Sequence, residues 1–376
     1  MDVNAAQVLL GGLTPAAFMR KHWHKAPLLV RQAWPGVLPP VSRAALFELA
    51  QQDSVESRLV VQDGGRWRVR QGPVPRRSLP PMSSPGWTIL VQGLDLHVGA
   101  AHDMLQRFAF IPSARLDDLM ASWASPSGGV GPHLDAYDVF LIQVQGRRRW
   151  RWGRVADPSW VEGAPLKQLR HFDPTDDAVL EPGDMLYLPP AWGHEGRAEG
   201  GDCMTCSVGF RAPASAELAR ELLLRMADAC DEDAIKPRLY RDPRQAATAS
   251  PAALPEALVD FARGALAERL ADPEALARAL GEYLSEPKPQ TWFDGGPARS
   301  APGAVQLSPR SRMLYDNRHV FINGEAWLVG GRDRTLLRRL ADSRRLSAVD
   351  RARLSVDAAA QLAQWAAAGW VEAEAP

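Results

Sequence analysis

The sequence predicts a mainly β protein with helical additions: a barrel or double-sheet jelly roll in the middle of the chain, then helices, then a small mixed module. Between about residues 107 and 212, short apolar runs are separated by breakers such as Glu181-Pro182-Gly183-Asp184 and Pro189-Pro190. Within that stretch Val139-Phe140-Leu141-Ile142-Gln143-Val144 is almost unbroken in its apolarity, as a strand covered on both faces would be. After residue 212 the apolar spacing changes from that of strands to that of helices.

The elements follow in order. Thr14-Pro15-Ala16-Ala17-Phe18 opens a helix, with Thr as cap and Pro at the first helical position. Leu59–Gln62 and Trp67–Val69 flank Asp63-Gly64-Gly65 and predict a hairpin; Trp87–Val91 is a further strand. Gly146 is expected to end the strand begun at Val139, with Arg147–Trp152 returning as another; Met185–Leu188 and Cys206–Phe210 complete the barrel. Ser215 is placed as the cap of a helix reaching about Ala229, and two more helices fill 254–284, parted near Asp272-Pro273. Leu258, Phe261, Leu266 and Leu270 form an apolar stripe there. Pro, Gly and Ser mark 291–304 as a linker. Beyond it come a hairpin turning at Asn323-Gly324, helices near 333–342 and 357–368, and Trp370-Val371, a pattern resembling a winged helix. The expected division is therefore 1–212 (barrel core about 87–212), 213–290, the linker 291–304, and 305–376.

Composition narrows the function classes. The chain has 376 residues, enough for two or three domains, and 44 basic residues balance 44 acidic ones, so global charge does not argue for nucleic acid. Arginines near 332–345 alternate with Asp333 and Asp342 and read as a solvated helix face rather than a nucleic-acid surface. Three cysteines speak against a disulfide framework. Cys203 and Cys206 lack a second pair to complete a zinc site and face opposite ways on a strand, so they are read as packing residues. No apolar run approaches the ~20 residues of a membrane span, and the first residues lack the features of a signal peptide; a cytoplasmic protein is expected.

Two histidines and a carboxylate carry the chemistry. In His133-Leu134-Asp135 the alternation of a strand puts both polar groups on one face, just ahead of the most apolar strand; His194 follows the Pro189-Pro190 stop, where a strand is taken to end. Such a set holds one face of a ferrous ion and leaves the other open to a chelating co-substrate and dioxygen. A rival pair, His171-Phe172-Asp173, precedes Pro174-Thr175-Asp176-Asp177 and reads as an exposed loop. His97 and His102 lie in a helix-like stretch, and His22 and His24 in a basic surface segment. In Arg147–Trp152, alternation groups Arg148 with Trp150 and Trp152; if the tryptophans face inward, Arg148 goes with them. A buried arginine needs an anionic partner, internal or a dicarboxylic co-substrate.

Taken together, Gly128-Gly129-Val130-Gly131-Pro132-His133-Leu134-Asp135-x-Tyr137-Asp138, Gly146-x-Arg148-x-Trp150, Glu181-Pro182-Gly183-Asp184, His194-Glu195-Gly196 and Ser207-Val208-Gly209-Phe210 resemble the bacterial JmjC-type ribosomal oxygenases, as does Phe18 with His22-Trp23-x-Lys25-x-Pro27. The resemblance spans roughly residues 10–225. It implies a double-stranded β-helix of the cupin-like JmjC type, a helical dimerisation region and a winged-helix-like C-terminal domain. It also implies Fe(II) on His133, Asp135 and His194, and 2-oxoglutarate and O2 as co-substrates. Arg148 would hold the far carboxylate, with Thr205 nearby on the last strand where bacterial members carry Asn. The implied activity is hydroxylation of a protein side chain by a homodimer. The implied substrate is an arginine β-carbon of large-subunit ribosomal protein L-sixteen, with Asp138 a candidate for its guanidinium. Hydroxylation of a histidine or asparagine in another protein, or a cupin metalloenzyme without 2-oxoglutarate, remains as an alternative.

Overall fold

The computed structural model describes residues 2–232, 238–296 and 303–373. They form two units, Met1–Ala212 with Pro289–Trp292, and Pro213–Lys288 with Phe293–Pro376.

The first unit contains α1 (Pro15–Lys21), β1 (Leu28–Val30), α2 (Arg43–Leu49), β2 (Ser57–Asp63), β3 (Arg66–Gln71), β4 (Trp87–Val91), α3 (Gly99–Gln106), β5 (Leu116–Ala124), β6 (Val139–Arg154), β7 (Asp176–Leu180), β8 (Met185–Leu188) and β9 (Trp192–Phe210). Thr14 caps α1 through a hydrogen bond from Ala17 N, with Pro15 at the first position. The strands run in the order β1-β8-β6-β9-β5-β4-β2-β3, with β7 added to the far half of β6. Every named pair in this sheet is antiparallel.

Two strands are longer than the sequence pattern suggests. Gly146 does not end a strand; β6 runs through it, paired with β9 from Val139↔Gly209 to Arg154↔Trp192 and bulged between Gln143 and Arg147. Gly146 has φ +64°, and a Cβ there would lie 2.2 Å from the Asp202 carbonyl oxygen, so glycine lets the ribbon bend where its strands approach. Likewise β9 begins at Trp192, so His194 lies near the start of a 19-residue strand, not beyond the end of one.

Both faces of β6 are covered, as its apolar run requires. Phe140, Ile142 and Val144 join Phe18, Phe108, Tyr187 and Phe210 in the main core. Val139 and Leu141 face the other way, in a smaller cluster with Trp150, Trp152, Leu186 and Leu188. Cys203 and Cys206 are buried in β9, and burial pushes the Cys206 thiol up to about 12.

The second unit holds α4 (Ser215–Glu232), α5 (Glu256–Leu270), α6 (Pro273–Ser285), β10 (Val305–Leu307), β11 (Met313–Tyr315), β12 (His319–Ile322), β13 (Glu325–Leu328), α7 (Gly331–Ser343), β14 (Arg345–Leu346), α8 (Ala348–Arg351), α9 (Val356–Ala367) and β15 (Val371–Ala373). Asn323 and Gly324, both at positive φ, make the β12–β13 turn. The helix α6 packs on this small module: a Cβ at Gly281 would meet the Phe321 ring at 2.3 Å. Part of the expected linker is not a free tether either, because Gly296 N donates to Ala367 O at 3.0 Å; residues 297–302 lie outside the described ones. The arginines of α7 are engaged locally, Arg338 with the Asp316 carbonyl and Arg339 with Asp350 at 2.5 Å. Among the described residues no helix is long and apolar enough to cross a membrane.

Candidate metal centre

His133 and His194 bridge one another in antiparallel fashion: His133 N donates to His194 O at 3.0 Å and His194 N to His133 O at 2.9 Å. His133 therefore sits not within a strand, as the His-x-Asp alternation suggested, but at an isolated bridge six residues before β6. The outcome for the side chains is the same. One ligand-type atom from each of His133, Asp135 and His194 lies within 4.8 Å of the others. The imidazole centroids are 4.2 Å apart, and His194 Nε2 is 3.6 Å from Asp135 Oδ2.

Backbone carbonyls fix both rings. His133 Nδ1 lies 3.0 Å from Gly131 O, and His194 Nδ1 lies 3.1 Å from Trp192 O. A carbonyl only accepts, so each Nδ1 donates its proton there and Nε2 is the ring nitrogen left for a metal. Burial and then the neighbouring His133 push the His194 imidazole down to about 4, leaving it neutral at ordinary pH. Two imidazoles and one carboxylate converging at one point are a donor set that would suit Fe(II). The rival His171 is exposed in a loop.

The trio lines a cleft of about 350 Å³ that also receives Arg148, Ser122, Asp117, Asp118, Tyr137 and Gln168. Strand alternation holds through β6: Arg148, Trp150 and Trp152 are buried, Arg147 and Arg149 exposed. Arg148 is 4% exposed, and its Nη1 donates to Ser122 Oγ at 3.1 Å while its buried Nε has no partner. Among the described residues no carboxylate forms an ion pair with it. Besides that hydroxyl the guanidinium has the Trp150 ring 5.5 Å away, so this buried cation lies beside the cleft without an anionic partner among the described residues.

Two expected residues do not reach the cleft. Asp138 belongs to the opposite face of its segment: it is fully buried, accepts a 2.5 Å hydrogen bond from Tyr187 Oη, and pairs with His24 Nε2 at 3.1 Å. Its carboxylate ties the N-terminal segment to the barrel, so it is corrected from a substrate contact to an anchor; His24 is a surface residue, as expected, whose ring reaches that carboxylate. Thr205 does not line the cleft; its hydroxyl donates to Gln143 Oε1 at 2.8 Å, and its carbonyl accepts from Ser122 Oγ at 3.4 Å. It acts at most through Ser122.

Sequence reasoning missed β5, which supplies Asp117, Asp118 and Ser122. Leu119, Ala121 and Trp123 alternate with Met120 and Ser122, a period-two signal that was there to read. Tyr137 was passed over too; burial, then Asp135, Asp118 and Asp117, push its phenol well up, so it stays a neutral hydroxyl.

Comparison with known proteins agrees with this geometry. The chain matches the JmjC domain family over residues 103–218 and the ROXA-like winged helix over 268–372. The second match begins within the expected dimerisation region, in keeping with the packing of α6. The chain is 37% identical over 270 residues, 72% of its length and 70% of the relative's, to the ribosomal protein uL16 3-hydroxylase of Escherichia coli. It is 37% identical over 54% of its length to a probable ribosomal oxygenase of Haemophilus influenzae, spanning 50% of that protein. The X-ray structure of E. coli YcfD superposes with a TM-score of 0.84 at 31% identity, covering 96% of this chain and 98% of that one. YcfD in complex with cobalt and 2-oxoglutarate gives 0.80 at 32%, covering 96% and 99%. With its double-stranded β-helix, its His-Asp-His cluster and these relatives, the chain belongs to the JmjC-type ribosomal oxygenases.

Proposed function

We propose that this protein is an Fe(II)- and 2-oxoglutarate-dependent hydroxylase of ribosomal protein uL16, the L-sixteen of the sequence reading, acting at the β-carbon of an arginine. One observation carries the reading: a single cleft is lined by the His133, Asp135 and His194 cluster and by the buried Arg148, which has no acidic partner among the described residues. The relative named as a uL16 3-hydroxylase supports the substrate.

His133, Asp135 and His194 would hold the ion, the imidazoles through Nε2. Bound Fe(II) supplies the activation of O2 that no side chain provides, with 2-oxoglutarate as the reductant, cleaved to succinate and CO2. Arg148, supported by Ser122, holds the distal carboxylate of the co-substrate and so orients its 2-oxo acid end toward the trio. The apolar walls, Val139, Leu141 and Trp150 among them, keep water from competing. A substrate arginine would bring a cation into a partly dry cleft, where an unpaired charge costs several kcal/mol. Asp117, Asp118 and the neutral Tyr137 line that cleft and offer acceptors. No side-chain base is required.

The same reading makes the protein a cytoplasmic homodimer joined through helices in 213–290. On α5 none of the side chains is buried, and Leu258, Leu266 and Leu270 are 38%, 63% and 51% exposed.

The test is incubation of the iron-loaded enzyme, with 2-oxoglutarate and O2, with a uL16 fragment and its Arg→Lys version. A gain of one oxygen on the arginine fragment alone, with succinate formed in step, is expected. No gain on either would overturn the substrate, and oxidation of a histidine in another ribosomal protein would move the enzyme to the histidine-hydroxylating branch.

A further inference from the structure

Between β6 and β7 the chain forms a flap over residues 155–175. Trp160 bridges Leu169, Val161 N donates to Gln168 O at 3.0 Å, and Arg170 N donates to Ser159 O at 2.8 Å. The flap tip, Leu166, Lys167 and Gln168, lines the cleft.

Gln168 is 4% exposed although its side chain is an amide. The amide points at the turn that delivers the first imidazole: Gln168 Nε2 donates to Val130 O at 2.9 Å. The next backbone group in the flap, Leu169 N, donates to Pro132 O, also at 2.9 Å. Between those two carbonyls sits Gly131, at φ +80°, where a Cβ would stand 2.3 Å from Gln168 Nε2. Only glycine allows both the left-handed backbone and the close approach of the amide. The Gly131 carbonyl in turn receives His133 Nδ1 at 3.0 Å.

The flap thus grips the peptide groups on either side of the carbonyl that orients His133. A ligating imidazole is held in place by what its second nitrogen bonds to, and a mobile acceptor leaves the ring free to swing. We propose that Gln168 is a positioning residue for His133, fixing the Val130–Pro132 turn so that the imidazole is aimed before the metal arrives. This rests on the metal-site reading above.

The test measures metal affinity directly, by titrating the metal-free protein with Co(II) and following its visible absorption. Two variants separate the amide donor from packing: Gln168→Met, of similar length, and Gln168→Glu, of similar shape but with no proton to give Val130 O. Both are expected to weaken Co(II) binding roughly 10- to 100-fold, the usual effect of losing a partner behind a ligand. Wild-type Co(II) affinity in Gln168→Met overturns the proposal; should that variant fail to fold, Gln168→Glu decides in the same way. His133→Ala is the reference. If it binds Co(II) like wild type, the metal-site reading itself fails; if it loses binding while the Gln168 variants do not, only the positioning role fails.

Discussion

Replacing Arg148 by Ala separates a co-substrate contact from a structural one, because the two roles predict opposite effects on the free protein. The guanidinium is 4% exposed, with one hydrogen bond to Ser122 Oγ, an unpartnered Nε and the Trp150 ring 5.5 Å away. In the free enzyme this buried cation has no ion-paired carboxylate among the described residues, so its removal relieves a desolvation cost. Arg148→Ala is therefore expected to melt no lower than wild type. In the complex the same group meets a carboxylate, and a charge-assisted contact in a dry site is worth about 2–4 kcal/mol. At 1.4 kcal/mol per factor of ten, that is roughly thirtyfold to a thousandfold in 2-oxoglutarate affinity.

The assay is succinate formation against 2-oxoglutarate concentration, beside a thermal melt of each metal-free protein. Arg149→Ala is the control on the neighbouring residue: its guanidinium is exposed and paired with Asp177 at 2.5 Å, a surface contact that water and salt screen. Equal losses in the two variants would refute the reasoning, and so would a sharply destabilised Arg148→Ala with an unchanged 2-oxoglutarate requirement, since that would make Arg148 a fold residue.

Other substitutions test other parts of the molecule. His133→Ala, Asp135→Ala and His194→Ala should each abolish Co(II) binding and turnover with circular dichroism unchanged, whereas His171→Ala should behave as wild type in both assays. Gly196→Ala places a Cβ 2.7 Å from the Trp150 ring, and urea denaturation should show a loss of about 1–3 kcal/mol from overpacking. Asp184 opposes its own burial by accepting from Gln32 N at 2.9 Å, Glu181 N at 3.1 Å and Arg31 at 2.6 Å, which together hold its carboxyl below the usual range. Its folded value being the lower one, the stability it adds is complete above the unfolded value of about 3.9 and disappears as pH falls through the folded value. Wild type should therefore exceed Asp184→Asn by a constant margin at neutral pH, by denaturant titration, with the gap closing only below about pH 4. Sedimentation should find a dimer, and Leu266→Glu with Leu270→Glu should shift it to monomer.

What the sequence made legible was local and periodic. Thr14 before Pro15, Asn323-Gly324 and Asp272-Pro273 each mark a boundary by chemistry within a few residues, and each stands where expected. The parity of Arg148 with Trp150 and Trp152 was legible for the same reason: alternation is local, and the bulges between Gln143 and Arg147 lie upstream of it. Errors arose where a residue's role depends on a distant strand. Gly146 looks like a strand end because a glycine beside an apolar run usually is one; only the Asp202 carbonyl, which approaches from β9, makes it a bend inside a continuous strand.

Asp138 shows the limit most clearly. It lies three residues from Asp135 and carries the charge an arginine would need, but the chain bends at Ala136 and Tyr137 and its carboxylate turns toward Tyr187 and His24. The parity rule that placed Arg148 works inside β6 and has no hold on the bend before it, from which Tyr137 lines the cleft and Asp138 does not. The acidic wall instead comes from β5, where Asp117 and Asp118 precede an alternating run that contains no histidine and so drew no attention. Metal ligands stand out in a sequence because few residue types can serve. An acceptor in a cleft is an ordinary carboxylate or hydroxyl, and Asp117 and Asp118 line this one from the stretch between Leu116 and Leu119 where the pairing of β5 with β9 shifts, an irregularity that only the folded sheet shows.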